Sequence, residues 1–211
     1  MKRIATALFL LSAPALAQSL QMNGRIEKIN TVTICPGYQY GVEGTSALVQ
    51  SSLDLEALVG ETFLLRGSEV NDVTCVGQII EVDSVDPPTA TLEACGTARP
   101  GCPLRFQVGP PTISFQALFA SVGAPGFTNL GASGVVTLGN GPIFFLGLSD
   151  SPLGIFDLQL PGSAPVGLPL NFQGFHQDVG PIQGPGSFSN PIQVILQPQG
   201  PLCVDPTSCF D

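Results

Sequence analysis

His176 is the only histidine of the 211 residues, and Asp178 lies two positions further on. Joined by a serine nucleophile, the pair would form the base and orienting groups of a Ser-His-Asp hydrolase. α/β-hydrolases present that serine in G-x-S-x-G between a strand and a helix. The nearest stretches, Gly131-Ala132-Ser133-Gly134 and Gly147-Leu148-Ser149-Asp150-Ser151, do not match it. On a strand, residues i and i+2 face the same side, so His176 and Asp178 can pair on a surface without catalytic duty. A surface or turn histidine is expected, with a secreted hydrolase using His176 as the alternative.

Carboxylates offer a second chemistry, because glycosidases set two of them across one cleft. Glu81, Asp83 and Asp86 alternate near an expected strand end, and Glu69 and Asp72 fall in an expected turn. With no Trp, and with Tyr38 and Tyr40 as the only tyrosines, sugar hydrolysis is disfavoured, because such clefts hold sugar rings on aromatic platforms. Calcium suits an acidic exported chain better, since extracellular sites combine carboxylates with loop carbonyls. The pattern D-x-[DN]-x-[DN]-G is absent, and the same carboxylates fit a solvated strand face, so no calcium ligand is assigned.

The six cysteines, Cys35, Cys75, Cys95, Cys102, Cys203 and Cys209, are even in number and contain no C-x-x-C pair. Zinc sites want closely spaced Cys or His pairs, so disulfides in an oxidising compartment are the expected use. Short loops close at the least entropic cost. That favours Cys95 with Cys102 and Cys203 with Cys209, which leaves Cys35 with Cys75.

The elements that must carry these residues are short strands. Residues 22–29, 38–44 and 46–52 read as strands, and Asp54 to Gly60 as a single helical turn capped by Asp54. Strands follow in ETFLLRGSEV (61–70) and TCVGQIIEV (74–82). Further on, Gly134 to Leu138, Ile143 to Leu148, Gly154 to Leu160 and Pro191 to Leu196 are apolar runs bounded by Gly, Pro, Asn or Asp. No segment sustains helical periodicity beyond about two turns, so the chain is expected to be all-β. Phe115, Phe119, Phe144, Phe145, Phe156, Phe172, Phe175 and Phe188 are expected mainly in the core, as are Leu53 before the linker and Leu146 after it. The sharper reading is an exposed aromatic patch for adhesion, since adjacent Phe144 and Phe145 point to opposite faces of a strand.

Lys2 and Arg3, the apolar run Ile4 to Leu11 and Ala15-Leu16-Ala17 read as a signal peptide, residues 1–17, cut before Gln18. The run is too short to span a bilayer, which takes about 20 residues. Export to the periplasm or beyond the cell is expected, without a membrane span. The net charge is −9, and no Lys or Arg follows Arg105. Nucleic acids and anionic membranes need a basic surface, so neither is an expected partner. An extracellular or envelope protein, or a glycan, fits better. Gly and Pro concentrate after Pro87-Pro88, which makes residues 86–91 a linker between a module at 18–88 and a second at 89–211.

The order NGRIEKI (23–29), DLEALVGETFLLRG (54–67) and GQIIEVDSV (77–85) resembles small OB-like barrels of secreted bacterial proteins. GCP (101–103), FFLGLS (144–149), LPLNFQG (168–174) and GPGSFSNPIQVIL (184–196) resemble a β-sandwich domain at the ends of exported proteins of planctomycete-type bacteria. The first likeness implies a ligand face around Tyr38, Tyr40, Leu64 and Arg66. The second implies export and a sandwich, and no activity. The expected function is non-catalytic: binding, adhesion or envelope structure.

Overall fold

The computed structural model describes residues 19–29, 35, 37–70, 75, 78–112, 114–139, 141–149, 151–179, 185–198, 200 and 202–210. The expected signal peptide and Asp72 lie outside them. The described residues form strands and three short 3-10 turns, and none of their helices is long and apolar enough to cross a membrane.

The first half is a closed barrel of β1 (Ser19–Lys28), β2 (Tyr40–Val42), β3 (Leu48–Ser51), β4 (Thr62–Val70) and β5 (Ile79–Asp86), in the order β1-β2-β3-β5-β4. β3 runs parallel to β5 and the other neighbours are antiparallel. Alternation puts Leu20, Met22 and Ile26 of β1 inward with Val42, Val49, Leu65, Ile80 and Val82. Burying each such side chain is worth roughly 1.5–3 kcal/mol. The barrel bends at a bulge between Arg66 and Gly67, where a Cβ would overlap the Glu81 carbonyl oxygen, so only glycine fits. The expected helical turn is a 3-10 turn, Leu55–Leu58, and Asp54 makes no side-chain capping bond to it.

Pro87 and Pro88 carry the chain into two facing antiparallel sheets. One holds β6 (Thr91–Gly96), β7 (Pro103–Gly109) and β12 (Ile155–Gln159) in the order β12-β7-β6. The other holds β8 (Ser114–Val122), β11 (Ile143–Ser149), β13 (Pro169–Asp178), β14 (Ser187–Phe188) and β15 (Ile192–Ile195). Its order is β11-β8-β13-β14, with β15 also pairing β13. Phe106 and Phe172 meet between the sheets with ring centroids 4.4 Å apart, among Leu92, Leu104, Val108, Leu118 and Leu196. This is the all-β class expected from the strand pattern, with the barrel and the sandwich that the two resemblances implied.

A small hairpin of β9 (Thr128–Asn129) and β10 (Val135–Val136) leaves the sandwich, and its Val135 joins the barrel core together with Phe127. Beside it Asn23, on the outer side of β1 yet buried, joins the two halves. Its Oδ1 accepts from Thr89 N at 2.9 Å, and its Nδ2 donates to Phe188 O at 2.7 Å and Ser187 Oγ at 3.0 Å.

Several expectations are corrected. Phe144, Phe145 and Leu146 are exposed rather than core, because β11 is an edge strand that bulges between Phe145 and Gly147, and Phe115 near the start of β8 is exposed as well. Leu53 is likewise exposed, in the loop after β3. His176 is buried, not on the surface: β13 is paired on both sides, and His176 stands opposite the buried Gln116. Cys35 pairs with Cys75 as expected, but the other bridges are Cys95–Cys209 and Cys102–Cys203, with Cα–Cα distances of 6.1 and 5.5 Å. In the β6–β7 ladder Cys95 faces Arg105, and Cys102 lies beyond the last pair, Gly96 with Leu104. The tail then runs back over this hairpin, with Val204 N donating to Thr97 Oγ1 at 2.8 Å. Each doubling of a loop costs only about 0.6 kcal/mol, so strand geometry outweighs sequence proximity.

Peptide mapping without reduction should recover Cys95 with Cys209 and Cys102 with Cys203; a Cys95–Cys102 peptide would contradict the path of the tail. Asn23→Ala should lower unfolding free energy by about 1–3 kcal/mol in urea, since it strands the Thr89 N–H and the Phe188 carbonyl. A midpoint unchanged from the parent would show that water replaces both bonds.

Candidate functional site

Tyr40 opens β2 and packs against the barrel core, while Tyr38, two residues before it, packs on a separate small cluster. They line a groove of about 540 Å³ with Gly37, Gln39, Val49, Gln50, Ser51, Leu53, Asp54 and Leu55. Each wall has a local cause. Gly37 turns the chain with φ of 115°, a value that glycine alone adopts easily, and β2 follows. Tyr40 stands opposite Val49 on β3, and the chain beyond Ser51 folds into the 3-10 turn that forms the far wall.

The groove is anchored from beneath. Tyr38 packs on a small cluster of Cys35, Leu48 and Ile79, and the Cys35–Cys75 bridge ties the β1–β2 connection to the β4–β5 connection. At the rim Glu56 accepts from Tyr40 Oη at 2.8 Å and from Lys28 Nζ at 2.9 and 3.0 Å. These two donors hold the Glu56 carboxyl below its ordinary range. The same hydrogen bond, followed by desolvation and the carboxylate charge, raises the Tyr40 phenol. The rim charges neutralise one another, and the groove offers aromatic faces, two amides, a hydroxyl and the Asp54 carboxylate.

Arg66 is not brought to the tyrosines. β4 is separated from β2 by β1 and from β3 by β5, so a side chain on its outer face looks elsewhere. Arg66 pairs with Asp86 at 2.7 Å and donates to Gln21 Oε1 at 3.0 Å, lining a separate groove with Ser19, Asp83 and Ser84. Leu64 is buried across from Asn23 and does not face the tyrosines. A third cleft, of about 620 Å³, lies between barrel and sandwich beside Arg25, Glu61, Glu93 and Asn190, and it has no aromatic wall.

His176 Nε2 lies 3.2 Å from Asp178 Oδ1, while its Nδ1 is buried without a partner, as is Gln116 Oε1. A nucleophile would have to engage the second nitrogen, and among the described residues no hydroxyl does. Among the described residues no three His, Cys, Asp or Glu side chains converge as a metal site, and Glu81 and Asp83 are exposed on β5. No family model, no curated protein and no solved structure matches this chain.

Sequence reasoning found both tyrosines but missed Gln39, Gln50 and Asp54, whose only signal was proximity to expected strand ends. With two tyrosines and no Trp, near-ultraviolet absorbance follows phenol ionisation directly. Ionising Tyr40 sets a phenolate beside the Glu56 carboxylate, so Glu56→Gln should shift one of the two waves to lower pH. An unmoved titration would mean that Tyr40 and Glu56 do not meet in solution.

Proposed function

We propose that this is an exported, non-catalytic binding protein whose barrel is OB-like and whose Tyr38–Tyr40 groove holds a neutral, hydroxyl-rich ligand, a short stretch of glycan. One observation carries the reading: the only two tyrosines of the chain stand together with Gln39, Gln50, Ser51 and Asp54 in one groove on the β2–β3 side of the barrel. The strand order, with β3 parallel to β5, supports an OB-like barrel. Such barrels bind oligonucleotides or oligosaccharides on the face of strands 2 and 3 and on the loops after strands 1 and 4.

Charge decides between the two ligand classes. A net charge of −9 repels a phosphate backbone, whereas tyrosine faces stack on sugar rings and amides bond to hydroxyls without needing charge. The Cys35–Cys75 bridge ties together the two loops that such barrels use, and so supports both the site and passage through an oxidising compartment. Asp54, free of any capping duty, is placed to accept from ligand hydroxyls.

Backbone amide NMR titration with a panel of neutral oligosaccharides should move resonances within residues 37–55. Tyr38→Ala should weaken that binding by about tenfold or more, since a stacking aromatic contributes roughly 1–3 kcal/mol. Added salt should have little effect. A panel that leaves residues 37–55 unmoved, or binding indifferent to Tyr38→Ala, would overturn the proposal.

A further inference from the structure

An outermost strand of the larger sheet, β11, is bulged between Phe145 and Gly147 but carries neither a charge nor a proline to protect its edge. It pairs only with β8, so among the described residues its other side offers unpaired backbone donors and acceptors. Ile143–Ser149 contains no charge and no proline. The edge strands of the smaller sheet differ: β12 carries Asp157, held by Arg105, and β6 carries the exposed Glu93. Charges of this kind are what keeps edge strands from pairing.

Its side chains are those of a strand that is covered. Ile143, Phe144, Phe145, Leu146 and Leu148 are 37–57% exposed, on both faces of the strand. Phe145 stands opposite Phe119, with ring centroids 5.7 Å apart; Phe119 lies 6.4 Å from Phe188, which in turn lies 5.0 Å from Phe175. The exposed ring is therefore held in place before any partner arrives, which lowers the entropy lost on docking.

We infer that β11 is the pairing edge for a second copy of this chain, antiparallel across a twofold axis, which joins the two larger sheets into one. Self-pairing matches each exposed backbone donor with an acceptor and sets the apolar strip against its own copy. Charge favours the same occupant: a basic partner would be drawn to the carboxylates elsewhere on the chain, not to this uncharged strip. The area also suffices. Half-exposed, each large apolar side chain offers about 100 Å². The five residues of β11, with Leu153 in the next turn and the exposed Phe115 on β8, expose roughly 700 Å² per copy, which sets a ceiling of about 1,400 Å² per pair, inside the range of stable dimers.

Sedimentation equilibrium of the exported, oxidised protein, between about 1 and 200 µM, tests this. A monomer–dimer equilibrium is expected, tightened by salt because screening relieves repulsion between acidic copies. Phe145→Lys and Leu148→Lys, both at exposed positions that leave the core intact, should each weaken it by about tenfold or more. Leu202→Lys, at an exposed position in the C-terminal tail, should not. Hydrogen exchange should show β11 amides protected as dimer forms. A monomer throughout the range, or a dimer that neither β11 substitution weakens, would overturn the inference.

Discussion

Closure of the barrel rests on β1 pairing along both of its edges. Residues 19–25 take β4 and residues 26–28 take β2, so one strand must change partners along its length without losing the inward direction of Leu20, Met22 and Ile26. Gly24 stands where the partners change, and a Cβ there would come within 2.7 Å of Val42 Cγ1. Because β1 is fully paired, its outer face becomes a surface on which the other half can dock. Asn23 serves that docking as a polar residue whose donor and acceptor are both satisfied, the condition under which a buried amide adds specificity rather than cost. The β9–β10 hairpin completes the contact by lending Val135 to the barrel core, and Gln173 holds the hairpin, accepting from Thr137 N at 2.9 Å and donating to Val135 O at 2.8 Å.

The sandwich is asymmetric, and its exposed surface follows from that. Three strands face a sheet in which β11 extends beyond β8, and Phe156 of β12 lies against Gly147 of β11. A C-terminal tail is free in principle to cover such an edge. Instead its two cysteines fasten it over the β6–β7 hairpin, where the 3-10 turn at Pro206–Ser208 meets β7. Fixing the tail there leaves the apolar strip of β11 uncovered.

What the sequence made legible follows from the range of each signal. Alternation and turn residues are local, so the strands, the lack of long helices and the change at Pro87-Pro88 could all be read along the chain. The Cys35–Cys75 bridge was reached by elimination from two other pairings, and those two were wrong. Entropy alone ranked them, whereas the tail's return over β6 and β7 is a tertiary fact. Phe144 and Leu146 failed for a related reason: apolar character reports what a strand could bury, not whether it lies at the centre or edge of its sheet. His176 was misplaced because i,i+2 spacing does not say which of two faces is inward, and here the neighbour opposite is the buried Gln116. The site divides in the same way. The resemblance to OB-like barrels put Tyr38, Tyr40 and Arg66 on one face, but Arg66 belongs to β4, and only the barrel order shows that β4 does not adjoin β2 or β3.

The two functional readings reinforce one another through geometry. The Tyr38–Tyr40 groove is built wholly from barrel residues and β11 wholly from the sandwich, so pairing at β11 uses none of the groove's walls. A twofold pair of the proposed kind would present two identical grooves. An isolated groove of this kind, open and with Asp54 as the one charged side chain in its lining, would hold a neutral sugar weakly. A polymer long enough to reach both sites engages the second at the effective concentration set by the first, which can raise avidity by about 10²–10⁴ with no new contact. A neutral polymer carries no charge for long-range attraction, so in the proposed assembly multiplicity would supply what charge cannot. On these two proposals the uncharged edge of β11 would contribute to binding as directly as the tyrosines, because pairing there would convert a weak groove into one selective for long chains.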